Sequence, residues 1–140
     1  MDIQLFGRPY RIGSRSIRGR RESNQDRCAW VAVSCGRIVG EVMDRPLRPA
    51  DSNLPDMLMA VVCDGMGGME HWEFASRTVC DELVEWAAST AQRTTEGMKP
   101  SFLDALKNAE KTIRETKARS GTTMTAVLAA DGCWISANIG

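Results

Sequence analysis

The 140-residue chain has no net formal charge, because 18 lysines and arginines balance 18 aspartates and glutamates. The molecule as a whole is therefore not an electrostatic nucleic-acid binder. Histidine is represented by His71 alone, so no histidine constellation for covalent catalysis can assemble. The five cysteines (Cys28, Cys35, Cys63, Cys80, Cys133) are an odd number with no Cys-x-x-Cys among them. With one histidine, that spacing argues against zinc; free thiols in a reducing compartment are expected instead. No basic-then-apolar leader opens the chain at Met1-Asp2-Ile3-Gln4. The longest apolar run, Met57 to Cys63, is too short to span a bilayer. Internal repeats and low-complexity segments are also lacking. These absences predict a cytoplasmic protein with no membrane partner.

What is there is ordinary globular composition, 43% hydrophobic and 26% charged, enough for one domain with a real core. The charge is unevenly placed. Arg8, Arg11, Arg15, Arg18, Arg20 and Arg21 cluster with no acid among them. Such an arm either contacts phosphates or forms the solvated face of an N-terminal strand pair. Tyr10 is the only aromatic residue interleaved with these arginines, so no base-stacking platform is evident and nucleic acid is not the expected partner.

The apolar pattern predicts an α+β order of strands, two helices, then strands. Tyr10 to Ile17 is expected as an edge strand, Cys28 to Val33 as a buried strand, and Arg37 to Met43 as its hairpin partner. Residues 44–56, with three of the five prolines, are expected as a surface loop. Met57 to Cys63 is apolar throughout and predicts a strand buried on both faces. A helix follows from about Glu70 to Gln92 with Ala75, Val79, Leu83 and Trp86 inward. Thr94 to Pro100 is expected to break it. Ser101 is expected to cap a second helix running to about Lys117, with Phe102, Leu106, Ala109 and Ile113 inward. Thr122 to Ala130 and Cys133 to Ile139 then form a hairpin about Asp131-Gly132.

The residues richest in chemistry are Cys63-Asp64-Gly65-Met66-Gly67-Gly68. One reading is a tight turn in which Gly67 and Gly68 supply positive φ and Asp64 caps the helix. The other is a metal site, in which the Asp64 carboxylate and the Gly65 carbonyl offer hard oxygens suited to Mg²⁺ or Mn²⁺. Three further pieces accompany it: Arg21-Glu22-Ser23-Asn24-Gln25-Asp26 before the first buried strand, Ser120-Gly121-Thr122-Thr123 opening a later one, and Ala137-Asn138-Ile139-Gly140 closing the last.

In that order and spacing these motifs resemble the PP2C-type, metal-dependent protein serine/threonine phosphatases, with Asp-Gly-Met-Gly-Gly similar to the bacterial branch. The resemblance runs from about Tyr10 to Gly140 and covers the N-terminal half of the family's domain. It implies a four-layer α-β-β-α sandwich of antiparallel sheets, present here as its N-terminal part, with residues 1–140 one partial domain truncated near its midpoint. It implies two Mn²⁺ or Mg²⁺ ions in the complete domain. Asp64 would bridge them, the Gly65 carbonyl would ligate one, Asp26 would act through water, and Gln25 would stand behind it. Arg21 would grip the phosphate of a phosphoserine or phosphothreonine protein substrate, suited by its planar fork of donors. The reaction implied is attack on phosphorus by metal-activated water, without a phosphoenzyme.

The chain departs from the family pattern in three places. Gln25 stands where glutamate is usual, Trp72 where the bacterial pattern has glycine, and Gly140 ends the chain where the family continues Asp-Ser-Arg. His71 is a candidate proton donor to the leaving alkoxide. The expectation is a phosphatase whose N-terminal half is inactive alone. Open strand edges would favour a homodimer or a complementing chain. The alternative is a non-catalytic PP2C-like module that binds a partner or a phosphorylated ligand.

Overall fold

Four two-residue turns set the register of the strands: Phe6-Gly7, Cys35-Gly36, Met43-Asp44 and Asp131-Gly132, with both φ angles positive in every pair. Positive φ at both central positions matches the right-handed twist of the strands they join. The structure is a computed structural model and describes residues 1–20, 22–67, 72–90, 94–116 and 119–140. Strands β1 (Asp2–Leu5) and β2 (Arg8–Arg11) form a separate hairpin. The main sheet holds β3 (Asp26–Ser34), β4 (Arg37–Val42), β5 (Arg45–Pro46), β6 (Ala50–Asp51), β7 (Met57–Gly67), β8 (Ser120–Ala130) and β9 (Cys133–Ile139). Its order is β5-β4-β3-β7-β8-β9, with β6 also paired to β4. Every pairing among the described residues is antiparallel.

Helices α1 (Trp72–Ser89) and α2 (Thr95–Glu115) cover one face of this sheet. Alternation along the strands sends Ala29, Val31, Met59, Val61, Cys63, Met124, Ala126 and Leu128 to that face. Ala75, Val79, Leu83 and Trp86 of α1 meet them as the helical spacing predicts, all buried. Full burial of a side chain such as Leu83 or Met59 contributes about 2 kcal/mol. Trp86 packs edge-on against Phe102 of α2, with ring centroids 5.3 Å apart, and its Nε1 donates to Ser101 Oγ at 3.2 Å. The β1–β2 hairpin lies on the opposite face, where Ile3 and Leu5 bury Trp30, Ala32, Leu58 and Ala129. The molecule is thus α+β, in three unequal layers.

Several expectations are corrected. Tyr10 to Ile17 is not a strand: β2 ends at Arg11 and the chain then runs without regular structure. The signal missed was the Phe6-Gly7 turn, which folds residues 2–11 on themselves. Residues 44–56 are not wholly a loop, since β5 and β6 add short pairings to β4 and Leu47 reaches the helix-side core. Gly40 permits this wrap, because a Cβ there would lie 2.5 Å from the Trp30 carbonyl oxygen and 2.8 Å from Leu47 Cδ1. β7 is buried on both faces only where the small hairpin reaches it, and Val62 is 55% exposed.

The second helix begins seven residues earlier than the Ser101 cap would require. Thr94 is the cap, accepting from the Gly97 N–H at 3.2 Å. Pro100 lies inside the helix near its start, where a missing N–H removes few intrahelical bonds. Phe102 and Ala109 are buried as expected, joined by Met98 and Ala105; Leu106 and Ile113 are half-buried at the core's edge. Lys117, at the expected end of α2, lies outside the described residues; the helix stops at Glu115. The final hairpin forms at Asp131-Gly132 as the sequence predicts.

Candidate metal centre

β7 does not stop at Asp64. Its ladder continues through Gly65 and Met66 to Gly67, paired with Ser120 to Thr122 of β8. Asp64 is therefore a ladder residue well ahead of α1 and does not cap that helix. Gly68 lies outside the described residues.

In the ladder, Asp64 stands directly opposite Asp26 of β3 on one side and Thr123 of β8 on the other. Directly opposed residues of antiparallel strands point to the same face, with Cβ atoms about 5 Å apart. That face is the one away from the helices, since the intervening residues Cys63 and Met124 belong to the helix-side core. Gly140 lies beside Thr123: a Cβ placed on it would sit 3.4 Å from Thr123 Cγ2. Asp26, Asp64, Thr123 and Gly140 thus form one row across four chain segments. The four motifs, separated by as many as 114 residues of sequence (140 − 26), converge at one end of the sheet.

Backbone and side-chain hydrogen bonds brace the row. The Asn24 side chain accepts from the Asp26 N–H at 3.1 Å and donates to Ser16 Oγ at 2.7 Å, which shapes the entry to β3. The Gln25 carbonyl accepts from the Gly65 N–H at 3.2 Å and from Ser76 Oγ of α1 at 2.7 Å. The Thr122 hydroxyl donates to the Asp64 carbonyl at 3.0 Å. Thr122 belongs to the Ser120-Gly121-Thr122-Thr123 motif, whereas Ser76 went unremarked in the sequence; serine inside an otherwise apolar helix stripe is the signal that marks it.

Asp64 is exposed and Asp26 half-buried, while Gly65 is buried. Like charges directly opposed across a ladder destabilise it unless something between them compensates. A hard divalent cation meets that need, because Mg²⁺ is commonly held by one or two carboxylates with water completing its shell. Asp26 and Asp64 are the side chains of this row whose chemistry suits such an ion. Among the described residues, no group of three or more histidine, cysteine, aspartate or glutamate side chains forms a fuller cluster.

Gln25 sits at the row's edge through its backbone, which is where the structure places its contribution. Arg21 and His71 lie outside the described residues, as does the side chain of Trp72. A groove of about 520 Å³ lies elsewhere: it runs between α2 and the β8–β9 end, lined by Val79, Leu106, Ile113 and Ile139, on the helix side of the sheet. The carboxylate row does not line it.

No protein-family model, no curated protein and no solved structure matches this chain. The resemblance to the phosphatases rests on the motif residues alone.

Proposed function

We propose that the chain belongs to a metal-dependent protein serine/threonine phosphatase of the PP2C type, contributing Asp26, Asp64 and the Gly65 carbonyl to its metal site. The observation that carries this reading is the direct opposition of Asp26 and Asp64 on the sheet face away from the helices. Two carboxylates on neighbouring strands offer the hard oxygens that a divalent cation takes. The finer fold follows the same reading. The helices occupy one outer layer, and the β1–β2 hairpin lies where the second sheet of an α-β-β-α sandwich would pack.

When bound, Mn²⁺ or Mg²⁺ supplies Lewis-acid activation of water and neutralises charge on the phosphoryl oxygens. This chain's residues do the rest. Asp64 would hold the cation directly and Asp26 would hold it through water. The Thr122 hydroxyl and the Gln25 carbonyl fix the two strand ends so that the carboxylates keep their spacing. Arg21 binds the phosphate of a phosphoserine or phosphothreonine protein, and His71 is the candidate acid for its leaving alkoxide. Gln25 in place of an acid favours a second reading, in which the scaffold binds a phosphorylated ligand without turnover.

Calorimetric titration with Mn²⁺, alongside release of phosphate from a phosphoserine peptide, separates the two. Saturable binding lost in Asp64→Asn, with metal-dependent release when a complementing chain is supplied, supports the phosphatase. Phosphopeptide binding without release under the same conditions supports the binding module. Absence of Mn²⁺ binding removes both metal-based roles.

A further inference from the structure

On the sheet face that carries the carboxylate row, a second groove of about 330 Å³ runs away from it, between residues 12–15 and strands β3, β7 and β8. Its floor is apolar: Trp30, Ala60, Val62 and Val127, with Thr125 beside them. No acidic residue lines it among the described residues. Val62 and Thr125 are two positions from Asp64 and Thr123 along their strands. Each such step of two covers about 7 Å on the same face, so the groove begins at the row and continues for two to four residues of an extended peptide.

Arg15 forms part of the rim and is held in place by its neighbours. Ser14 Oγ donates to Glu41 Oε1 at 2.9 Å, and Ser16 Oγ accepts from Asn24 Nδ2 at 2.7 Å. Arg15 between them is exposed. Arg18 and Arg20 follow on the same segment, and no acid occurs between Asp2 and Glu22. Of the segment's arginines, Arg11 is already paired with Asp2 at 2.8 Å.

We propose that this groove binds an acidic segment of a protein partner, with Arg15 pairing a glutamate or aspartate and an apolar neighbour seated on Ala60, Val62 and Val127. The inference rests on the phosphatase reading only for what lies next to the segment, a phosphorylated residue at the carboxylate row two to four positions away. The acidic preference itself requires no metal and no turnover.

The test uses fluorescence polarisation with three labelled dodecapeptides: one carrying leucine flanked by glutamates near a serine, its phosphoserine version, and a lysine-for-glutamate version. The unphosphorylated glutamate peptide is expected to bind about tenfold more tightly than the lysine peptide, and to weaken as salt rises. Arg15→Glu should reverse that preference, an outcome that misfolding cannot produce. Equal binding of the glutamate and lysine peptides, or an unchanged preference in Arg15→Glu, overturns the proposal. If the preference holds while the phosphoserine adds nothing in the presence of Mn²⁺, the groove stands and the phosphatase reading falls.

Discussion

Ser76 Oγ of α1 donates to the Gln25 carbonyl at 2.7 Å, and so joins the helix layer to the strand end that carries Asp26. Ser76 is fully buried, the only polar side chain so placed among the described residues. The same carbonyl receives the Gly65 N–H, so one oxygen ties together α1, β3 and β7 at the candidate site. Ser76→Ala leaves that carbonyl with the longer bond alone. The expected cost is about 1–2 kcal/mol, seen as a lowered midpoint in thermal unfolding, together with weaker Mn²⁺ binding in calorimetry. An unchanged midpoint would mean that the bond contributes nothing net.

Asp64→Asn separates stability from function. Asp64 is exposed, so the substitution should change the stability of the metal-free protein by no more than about 0.5 kcal/mol. The same change should abolish the stabilisation that saturating Mn²⁺ gives the unsubstituted chain, about 2.7 kcal/mol at a hundredfold excess over Kd. Unfolding curves with Mn²⁺ and with chelator measure both terms. Loss of stability without metal would show that Asp64 acts as a structural residue.

The contrast between what the sequence revealed and what it concealed lies in the range of the signals. The final hairpin was legible because Asp131-Gly132 carries a local turn chemistry, and the inward face of α1 because Ala75, Val79, Leu83 and Trp86 repeat with the helix period. The start of α2 was not, because Pro100 reads as a breaker unless Thr94 is seen to begin the helix before it. The Phe6-Gly7 and Met43-Asp44 turns lack the usual asparagine or aspartate-glycine pair, and the β1–β2 and β4–β5 pairings went unseen with them. For the site, Asp26 and Asp64 were each legible as motif residues. Their direct opposition was not, because the β3–β7 register is set by long-range packing of Trp30, Val31 and Met59 rather than by any short motif.

Two thiols give the fold an alkaline weakness. Burial first, and then the neighbouring Cys80, push Cys63 up to about 12 from an ordinary 9.0. Burial also pushes Cys80 up to about 12, with Asp81 adding to it and Arg27 opposing. A thiol whose pKa is raised by folding holds its proton more tightly in the folded state. Its full contribution is present below the unfolded value of 9.0 and declines as pH rises from there toward 12. The loss approaches about 1.4 kcal/mol per pH unit for each thiol. Urea unfolding between pH 8 and about 11 should show stability falling, with a shallower fall in Cys63→Ala. The exposed Cys35 and Cys133 should react with a thiol reagent in the native state, while Cys63 and Cys80 stay silent until unfolding. Rapid native modification of all five would contradict the buried placement.

The outer edge of β9 is the remaining place where this sheet meets its surroundings. Cys133-Trp134-Ile135-Ser136-Ala137-Asn138-Ile139 contains no charge and no proline, the two devices by which edge strands usually discourage pairing. An antiparallel copy centred on Ser136 would oppose Ile135 with Ala137 and Cys133 with Ile139. Apolar residues would then meet apolar residues on the helix side. Trp134, 53% exposed, would meet Asn138 on the other. Sedimentation is expected to show association that grows with concentration. Ser136→Lys sets two cations face to face at the centre of that pairing, while leaving the core untouched because Ser136 is exposed. It should restore a monomer with an unchanged unfolding midpoint. A monomer at every concentration for the unsubstituted chain would show that the β9 edge does not pair with itself, and would leave a complementing chain as the partner for that edge.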